Sequence, residues 1–165
     1  MVANVALATL LALAAWRDVL TRIIPNRIAL AIAAIGIATR LAVDWVPLLL
    51  SAATAALLFV ILLLLALRGW LGGGDVKLTA ALAIGLPPAT TWDFITVTVF
   101  AGGILGLGYL AGRRFAPRLR PASRAHPLAR IMAVEARRLR CGGPLPYGVA
   151  IAAGGIFVLL TTPGP

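Results

Sequence analysis

Six apolar segments separated by short polar stretches make up most of this 165-residue chain. They cover approximately residues 2–16, 28–43, 46–67, 78–86, 94–112 and 145–160. Hydrophobic residues are 61% of the sequence, whereas soluble domains contain about 45–50%. Two segments approach the ~20 residues that a perpendicular membrane span needs. The pattern therefore predicts an all-α, polytopic membrane protein with about six transmembrane helices.

The positive charges are distributed unevenly between these segments. Fourteen of the 15 Lys and Arg residues lie within residues 17–27, 68–77 and 113–144. If the first segment ends in the cytoplasm, all three stretches are cytoplasmic, as the positive-inside rule requires. Only Arg40 then lies near the outer face, where its side chain can snorkel. Because orientation explains the net charge of +10, the sequence predicts no nucleic-acid partner.

We expect a single membrane-embedded domain over residues 1–165, with both termini outside. Residues 113–144 form a basic cytoplasmic loop in this topology and are predicted to contain a short helix over 128–139. The arginines of this loop are predicted to bind anionic lipids, and recruitment of the substrate is the alternative role. Residues 86–93 are predicted to form an outer hairpin. The ends of the segments also carry the amphipathic side chains typical of membrane interfaces, namely Trp16, Trp45, Trp70 and Trp92.

The five acidic residues separate by predicted depth in the membrane. Asp44 and Asp93 fall at the outer face and Glu135 in the basic loop, whereas Asp18 and Asp75 fall at the cytoplasmic membrane boundary. Two neighbouring carboxyl groups cannot both ionise cheaply, so one keeps a proton. Such a pair can activate water and polarise a peptide carbonyl. The pattern indicates aspartic-protease chemistry without a covalent intermediate, cofactor or metal.

Three glycines, Gly72, Gly73 and Gly74, precede Asp75. We expect them to adopt positive φ and to let an extended substrate approach the backbone closely. Asp75 is predicted near a helix N-terminus and Asp18 near a helix C-terminus. Because the macrodipole favours an anion at the N-terminus, the sequence predicts Asp75 as the base and Asp18 as the acid.

Each of these features also has a structural explanation of its own. A helix cap or an arginine partner explains Asp75, and an ion pair with Arg22 explains Asp18. Residues 25–26 are typical of a turn followed by a helix N-cap. Lys77 fits a cytoplasmic anchor. Only the combination of these features at one membrane depth favours a catalytic site.

The combination resembles the type IV prepilin peptidases, membrane aspartyl proteases with a G-x-G-D motif. The matching residues are Gly72, Gly74, Asp75 and Lys77 for G-x-G-D-x-K, Asp18 with Ile24, Pro25 and Asn26 for D-x(5)-I-P-N, and Pro146, Tyr147 and Gly148 for P-[FY]-G. The resemblance implies that Asp18 and Asp75 are catalytic. It implies that Gly72, Gly73, Gly74, Lys77, Pro25 and Asn26 shape the site.

The resemblance also implies a substrate and a location. The substrate is a prepilin or pseudopilin with a short basic leader before an apolar helix, cleaved at the cytoplasmic face of the inner membrane. The chain starts at its first helix and contains Cys141 as its single cysteine, so it lacks the paired CxxC motifs of larger members. We therefore expect the short, peptidase-only branch that serves Flp/Tad-type pili, without N-methyltransferase activity.

Other functions remain open on the sequence. Presenilin-like and signal-peptide-peptidase-like enzymes share G-x-G-D, but a tyrosine precedes their first aspartate and Arg17 stands there here. A rhomboid-like protease needs Ser and His together, whereas Ser51 and His126 are predicted on opposite faces. A small ion or solute carrier would use Asp18 and Asp75 as relay groups. A noncatalytic pilus-assembly subunit is the third alternative.

Overall fold

A computed structural model describes residues 2–115 and 145–162 of the chain as helices joined by short connections. These helices are α1 (Val2–Thr21), α2 (Asn26–Leu41), α3 (Trp45–Leu67), α4 (Gly73–Gly85), α5 (Pro88–Phe115) and α6 (Tyr147–Thr161). The all-α prediction is confirmed, and each apolar segment corresponds to one helix. The predicted helix over 128–139, with His126 and Cys141, lies outside the described residues.

Within residues 2–115 and 145–162, three helices are long and apolar enough to cross a membrane. They are α1, α3 and the part of α5 from Pro88 to Arg113. Helix α6 is apolar but shorter, and α2 and α4 contain 16 and 13 residues. The structure therefore contains three candidate spans, which indicate a membrane protein.

Two helix boundaries differ from the sequence-based prediction. Helix α4 begins at Gly73, so two of the glycines are helical. Helix α5 begins at Pro88, so the connection predicted over residues 86–93 consists only of residues 86–87. Proline suits the first position of a helix because the N–H group it lacks would have no partner there. The α4–α5 connection is consequently a tight turn.

The chain divides into two compact units, Met1–Gly102 with Pro146–Pro165, and Gly103–Leu145. Within the first unit, the short helix α4 packs against α2, α3 and α6, while α1 packs against α6 and α2. Val76 and all residues from Leu78 to Ala83 are buried. Helix α4 is therefore the central element of this unit, and its position fixes that of Asp75.

Helices α2 and α4 run parallel and touch through their backbones. Near their C-terminal ends, a Cβ atom added to Gly36 would lie 2.8 Å from the Cα atom of Gly85, and the reverse substitution gives the same distance. Near their N-terminal ends, Lys77 donates a hydrogen bond to Asn26. Since backbone cannot rotate away from an added methyl group, this crossing requires glycine on both helices.

The Gly36→Ala substitution should therefore lower stability. We expect a loss of about 1–3 kcal/mol in the free energy of unfolding, the usual range for overpacking a core. Thermal unfolding in detergent measures the effect. The control is Gly103→Ala, because a Cβ atom there has no neighbour within 4 Å. Equal stability of the two variants would contradict the backbone contact.

Candidate active site

Asp18 and Asp75 reach the same end of the first unit from different helices. Asp18 lies in the last turn of α1, and Asp75 is the third residue of α4. The negative charge of Asp18 acts on Asp75 and raises the pKa of its carboxyl group. The fold thus brings two carboxyl groups that are 57 positions apart in the sequence within electrostatic range of each other.

Asp18 is buried and is held by the beginning of α6. Its side chain is only 6% exposed, and its Oδ2 atom accepts a 2.9 Å hydrogen bond from the backbone N–H of Gly148. Gly148 is the second residue of α6, where the helix dipole favours a negative charge. A Cβ atom on Gly148 would lie 2.9 Å from Oδ2 and 3.0 Å from Cβ of Asp18. Only glycine fits this position without displacing the carboxyl group.

Asp75 lies outside the three candidate spans and has a perturbed pKa. Burial of the carboxyl group, followed by the charge of Asp18, raises its pKa from 3.8 to about 6. A backbone hydrogen bond with Gly72 and the positive charge of Arg22 oppose this shift. Near pH 6, the Asp75 carboxyl group therefore exchanges a proton, as one member of an acid–base pair must.

The contacts remove the helix-dipole difference on which the expected roles rested, because Asp18 also lies at a helix N-terminus. The Oδ2 atom of Asp18 accepts a hydrogen bond from a backbone N–H group at the N-terminus of α6. Such a bond is stronger when the carboxyl group is ionised, so it stabilises the ionised form. Asp75 is also at a helix N-terminus, but its pKa is raised. The expectation from sequence considered only the C-terminus of α1, because the packing of α6 against Asp18 is a tertiary feature.

The expectation that Gly72, Gly73 and Gly74 adopt positive φ is wrong. Gly72 has φ of −75° and ψ of 139° as the N-cap of α4, and the two others begin the helix. Among the glycines that the structure describes, only Gly69 has positive φ, at 77°. The short side chain, rather than backbone freedom, explains the glycines before Asp75.

Two of these three glycines have neighbours that exclude a side chain. A Cβ atom on Gly72 would lie 2.9 Å from Oδ2 of Asp75, and one on Gly74 would lie 3.3 Å from Cβ of Ile24. No atom lies within 4 Å of a Cβ atom added to Gly73. The close approaches thus follow the motif, since they involve the first and last glycines of G-x-G and not the one between them.

The I-P-N segment packs beside the glycines. Ile24 is buried against Gly74, and Pro25 is the N-cap of α2 in an extended conformation. Asn26 is the first residue of α2 rather than its cap, and its Oδ1 atom accepts a 3.2 Å hydrogen bond from Nζ of Lys77. These contacts join the start of α2 to the start of α4.

Arg22 adds a positive charge to the site from the end of α1. It adopts a left-handed conformation with φ of 57°, and its N–H donates a 2.9 Å hydrogen bond to the carbonyl oxygen of Asp18, as in an αL helix terminus. The Nε and Nη1 atoms are buried. This geometry directs the guanidinium group inward, where its charge lowers the pKa of Asp75.

The other candidate residues lie elsewhere. Asp44 caps α3 by accepting a hydrogen bond from the Trp45 N–H, and Asp93 is in the second turn of α5; both are at the opposite end of the first unit from Asp18. Ser51 is buried near the start of α3. Within residues 2–115 and 145–162, no three His, Cys, Asp or Glu side chains cluster as metal ligands would.

Comparison with known protein families gives one match that covers most of the chain. The sequence model of the type IV leader peptidase family matches residues 5–110. The chain belongs to this family. The match confirms the resemblance seen in the sequence and identifies the chain as a member of a protease family. No curated protein and no solved structure matched the chain.

The leader peptidase match contains Asp18 and Asp75 but ends before α6. Gly148, which donates the hydrogen bond to Asp18, therefore lies outside it. In the sequence, Gly148 is recognisable as part of the P-[FY]-G motif but not as a neighbour of an aspartate. The sequence signal for this contact was a glycine at the second position of a helix, because the backbone N–H group at such a position is free to bind an anion.

The titration of Asp75 should report its neighbours. We expect a midpoint near pH 6 for its carboxyl group, measured by NMR with ¹³C-labelled aspartate. Asp18→Asn should lower this pKa because it removes a negative charge. Arg22→Gln should raise it because it removes a positive charge, and Asp93→Asn should leave it unchanged. A midpoint that is insensitive to Asp18→Asn would show that the two carboxyl groups do not interact.

Proposed function

We propose that this chain is an aspartic endopeptidase that removes the leader peptide of prepilin-like proteins. One observation carries the proposal. Two carboxyl groups from distant segments interact at helix N-termini in a chain that belongs to the type IV leader peptidase family. Burial and the repulsion between the two carboxyl groups separate their pKa values, so that one group is protonated while the other is ionised. General acid–base catalysis requires this difference.

In the proposed mechanism, ionised Asp18 accepts a proton from a water molecule while the water oxygen attacks the scissile carbonyl carbon. Protonated Asp75 donates its proton to the carbonyl oxygen, and a tetrahedral diol forms. Asp18 then transfers its proton to the leaving amine, the C–N bond breaks, and Asp75 recovers a proton from the diol. The products are a carboxylic acid and an amine, and the enzyme returns to its initial protonation state.

In this proposal, the remaining site residues support the two aspartates and take no part in proton transfer. Gly148 positions the carboxyl group of Asp18, and the charge of Arg22 lowers the pKa of Asp75. Gly72 leaves room for the carboxyl group of Asp75, and Gly74 lets Ile24 pack against the start of α4. Lys77 forms a hydrogen bond with Asn26, so it supports the site without taking part in proton transfer.

The proposed substrate is a prepilin or pseudopilin, including those of Flp/Tad-type pili. An apolar groove of about 370 Å³ lies between α2, α3 and α4. It extends from Lys77 and Asn26, next to the site, to Ala33 and Ile84. A groove of this character fits the apolar segment that follows the cleaved bond in such substrates, and the presence of Lys77 and Asn26 at one end of it supports this assignment.

The proposed location is the inner membrane, with six spans and the site at the cytoplasmic face. The distribution of Lys and Arg supports this orientation. The short helix α4 lies buried among its neighbours, so protein rather than lipid surrounds most of it. A helix shorter than a span is acceptable within a membrane protein when protein encloses it in this way.

Co-expression with a candidate prepilin tests the catalytic assignment. Asp18→Asn and Asp75→Asn should each reduce leader removal by about 100-fold or more, because each removes one proton-transfer group. Asp44→Asn and Asp93→Asn are matched controls and should leave cleavage unchanged, because both residues lie at the opposite end of the first unit and Asn can replace Asp44 as a helix cap. Immunoblotting of precursor and mature pilin gives the readout. Full processing by either of the first two variants would end the proposal.

The contact between α6 and Asp18 predicts a glycine-specific effect. Gly148→Ala should reduce the cleavage rate by about 100-fold, because a displacement of a catalytic group by about 1 Å has an effect of that size. Gly73→Ala is the matched control and should cleave normally. Thermal unfolding of both variants separates loss of catalysis from loss of folding. Normal cleavage by Gly148→Ala would show that this hydrogen bond is dispensable.

A further inference from the structure

A cavity of about 490 Å³ lies at the end of the first unit opposite the aspartates. The start of α1, the ends of α2, α4 and α6, and the start of α5 enclose it. Asn4 lines the cavity, and Asp18 lies 14 positions further along the same helix, about 21 Å away at 1.5 Å per residue. The cavity is therefore separate from the candidate active site, and its volume is typical of a ligand-binding pocket.

Arg40 supplies a cation to this cavity from the last turn of α2. Sequence analysis placed Arg40 near the outer face as a snorkelling residue. In the structure its Nε atom is buried and has no hydrogen-bond partner among the described residues. Among the residues that the structure describes, no Asp or Glu lines the cavity. A buried guanidinium nitrogen without a partner is costly, so its position favours an anionic ligand.

The start of α5 supplies further donors. Thr90 lines the cavity with a side chain that is only 7% exposed, and its hydroxyl group forms no hydrogen bond with another residue that the structure describes. The N–H groups of Ala89 and Thr90 belong to the first turn of this 28-residue helix, where no intrahelical acceptor exists. The helix dipole is positive at this end. These donors and Arg40 together favour an anion such as phosphate.

Apart from Asn4, Thr39 and Thr162, the other residues that line the cavity are apolar. Leu7 and Leu159 are buried core residues that line it, and Leu86 and Val158 line it as well. Inorganic phosphate would engage the polar groups but leave these walls in contact with water. A ligand that combines a phosphate group with a hydrocarbon chain would satisfy both parts of the cavity.

We propose that this cavity binds an anionic phospholipid, with the phosphate group held by Arg40, Thr90 and the start of α5, and with an acyl chain against Leu7 and Leu159. The ligand would lie near the place where α2 and α4 cross, and it would contact five of the six helices. Binding there would stabilise the bundle by mass action, since an unfolded chain has no such site. The site is independent of peptide cleavage.

Native mass spectrometry of the delipidated protein tests this proposal with three probes. Phosphatidylglycerol should bind; diacylglycerol with the same acyl chains but no phosphate should bind at least tenfold more weakly. Inorganic phosphate alone should not displace the lipid. If diacylglycerol binds as well as phosphatidylglycerol, phosphate recognition is wrong. If inorganic phosphate displaces the lipid fully, the ligand is a free phosphate and the lipid assignment is wrong.

Variants locate the site. Arg40→Gln should weaken phosphatidylglycerol binding about tenfold, and the nearly isosteric Thr90→Val should weaken it by a smaller factor while preserving the fold. Arg68→Gln is the control, because it removes the same charge from an exposed position at the end of α3. Equal loss of binding in Arg68→Gln and Arg40→Gln, or unchanged binding in both Arg40→Gln and Thr90→Val, would overturn the proposal.

Discussion

The hydrogen bond from Gly148 to Asp18 is the constraint on which the candidate site depends. It joins the last turn of α1 to the first turn of α6, across 130 positions of sequence. A buried carboxyl group requires such a partner, because an unsatisfied polar group away from water is costly. The same contact orients the Asp18 side chain and provides a helix N-terminus that stabilises its charge. This one hydrogen bond therefore sets both the orientation and the electrostatic environment of the Asp18 side chain.

The second aspartate depends on the central position of α4. This helix is too short for a perpendicular span, yet most of its residues beyond Lys77 are buried by neighbouring helices. The backbone contact between Gly36 and Gly85 fixes α4 against α2 at one end, and the Lys77–Asn26 hydrogen bond joins them at the other. Asp75 is consequently held on a rigid element, as precise proton transfer requires.

Much of the fold could be predicted from the pattern of apolar segments, because helices in an apolar solvent must satisfy their own backbone groups. Boundaries were less accurate where polar residues continue a helix, as in α1 beyond Trp16, or where prolines begin one, as at Pro88. The aspartates and the G-x-G spacing were visible in the sequence. The conformation of Gly72 was not visible in the sequence, because the glycine there is explained by a contact with the Asp75 side chain and not by a local turn.

The sequence by itself determined the helical architecture, the two candidate acids and the family, because periodicity, charge placement and motif spacing are local properties of the chain. Tertiary structure alone decided which helix N-terminus faces Asp18, which glycines lack room for a side chain, and where Arg40 points. All of these except the contact of Gly72 with Asp75 depend on atoms contributed by a distant segment. The electrostatic environment of a carboxyl group or a guanidinium group is set by all of its neighbours, and a linear sequence does not specify them.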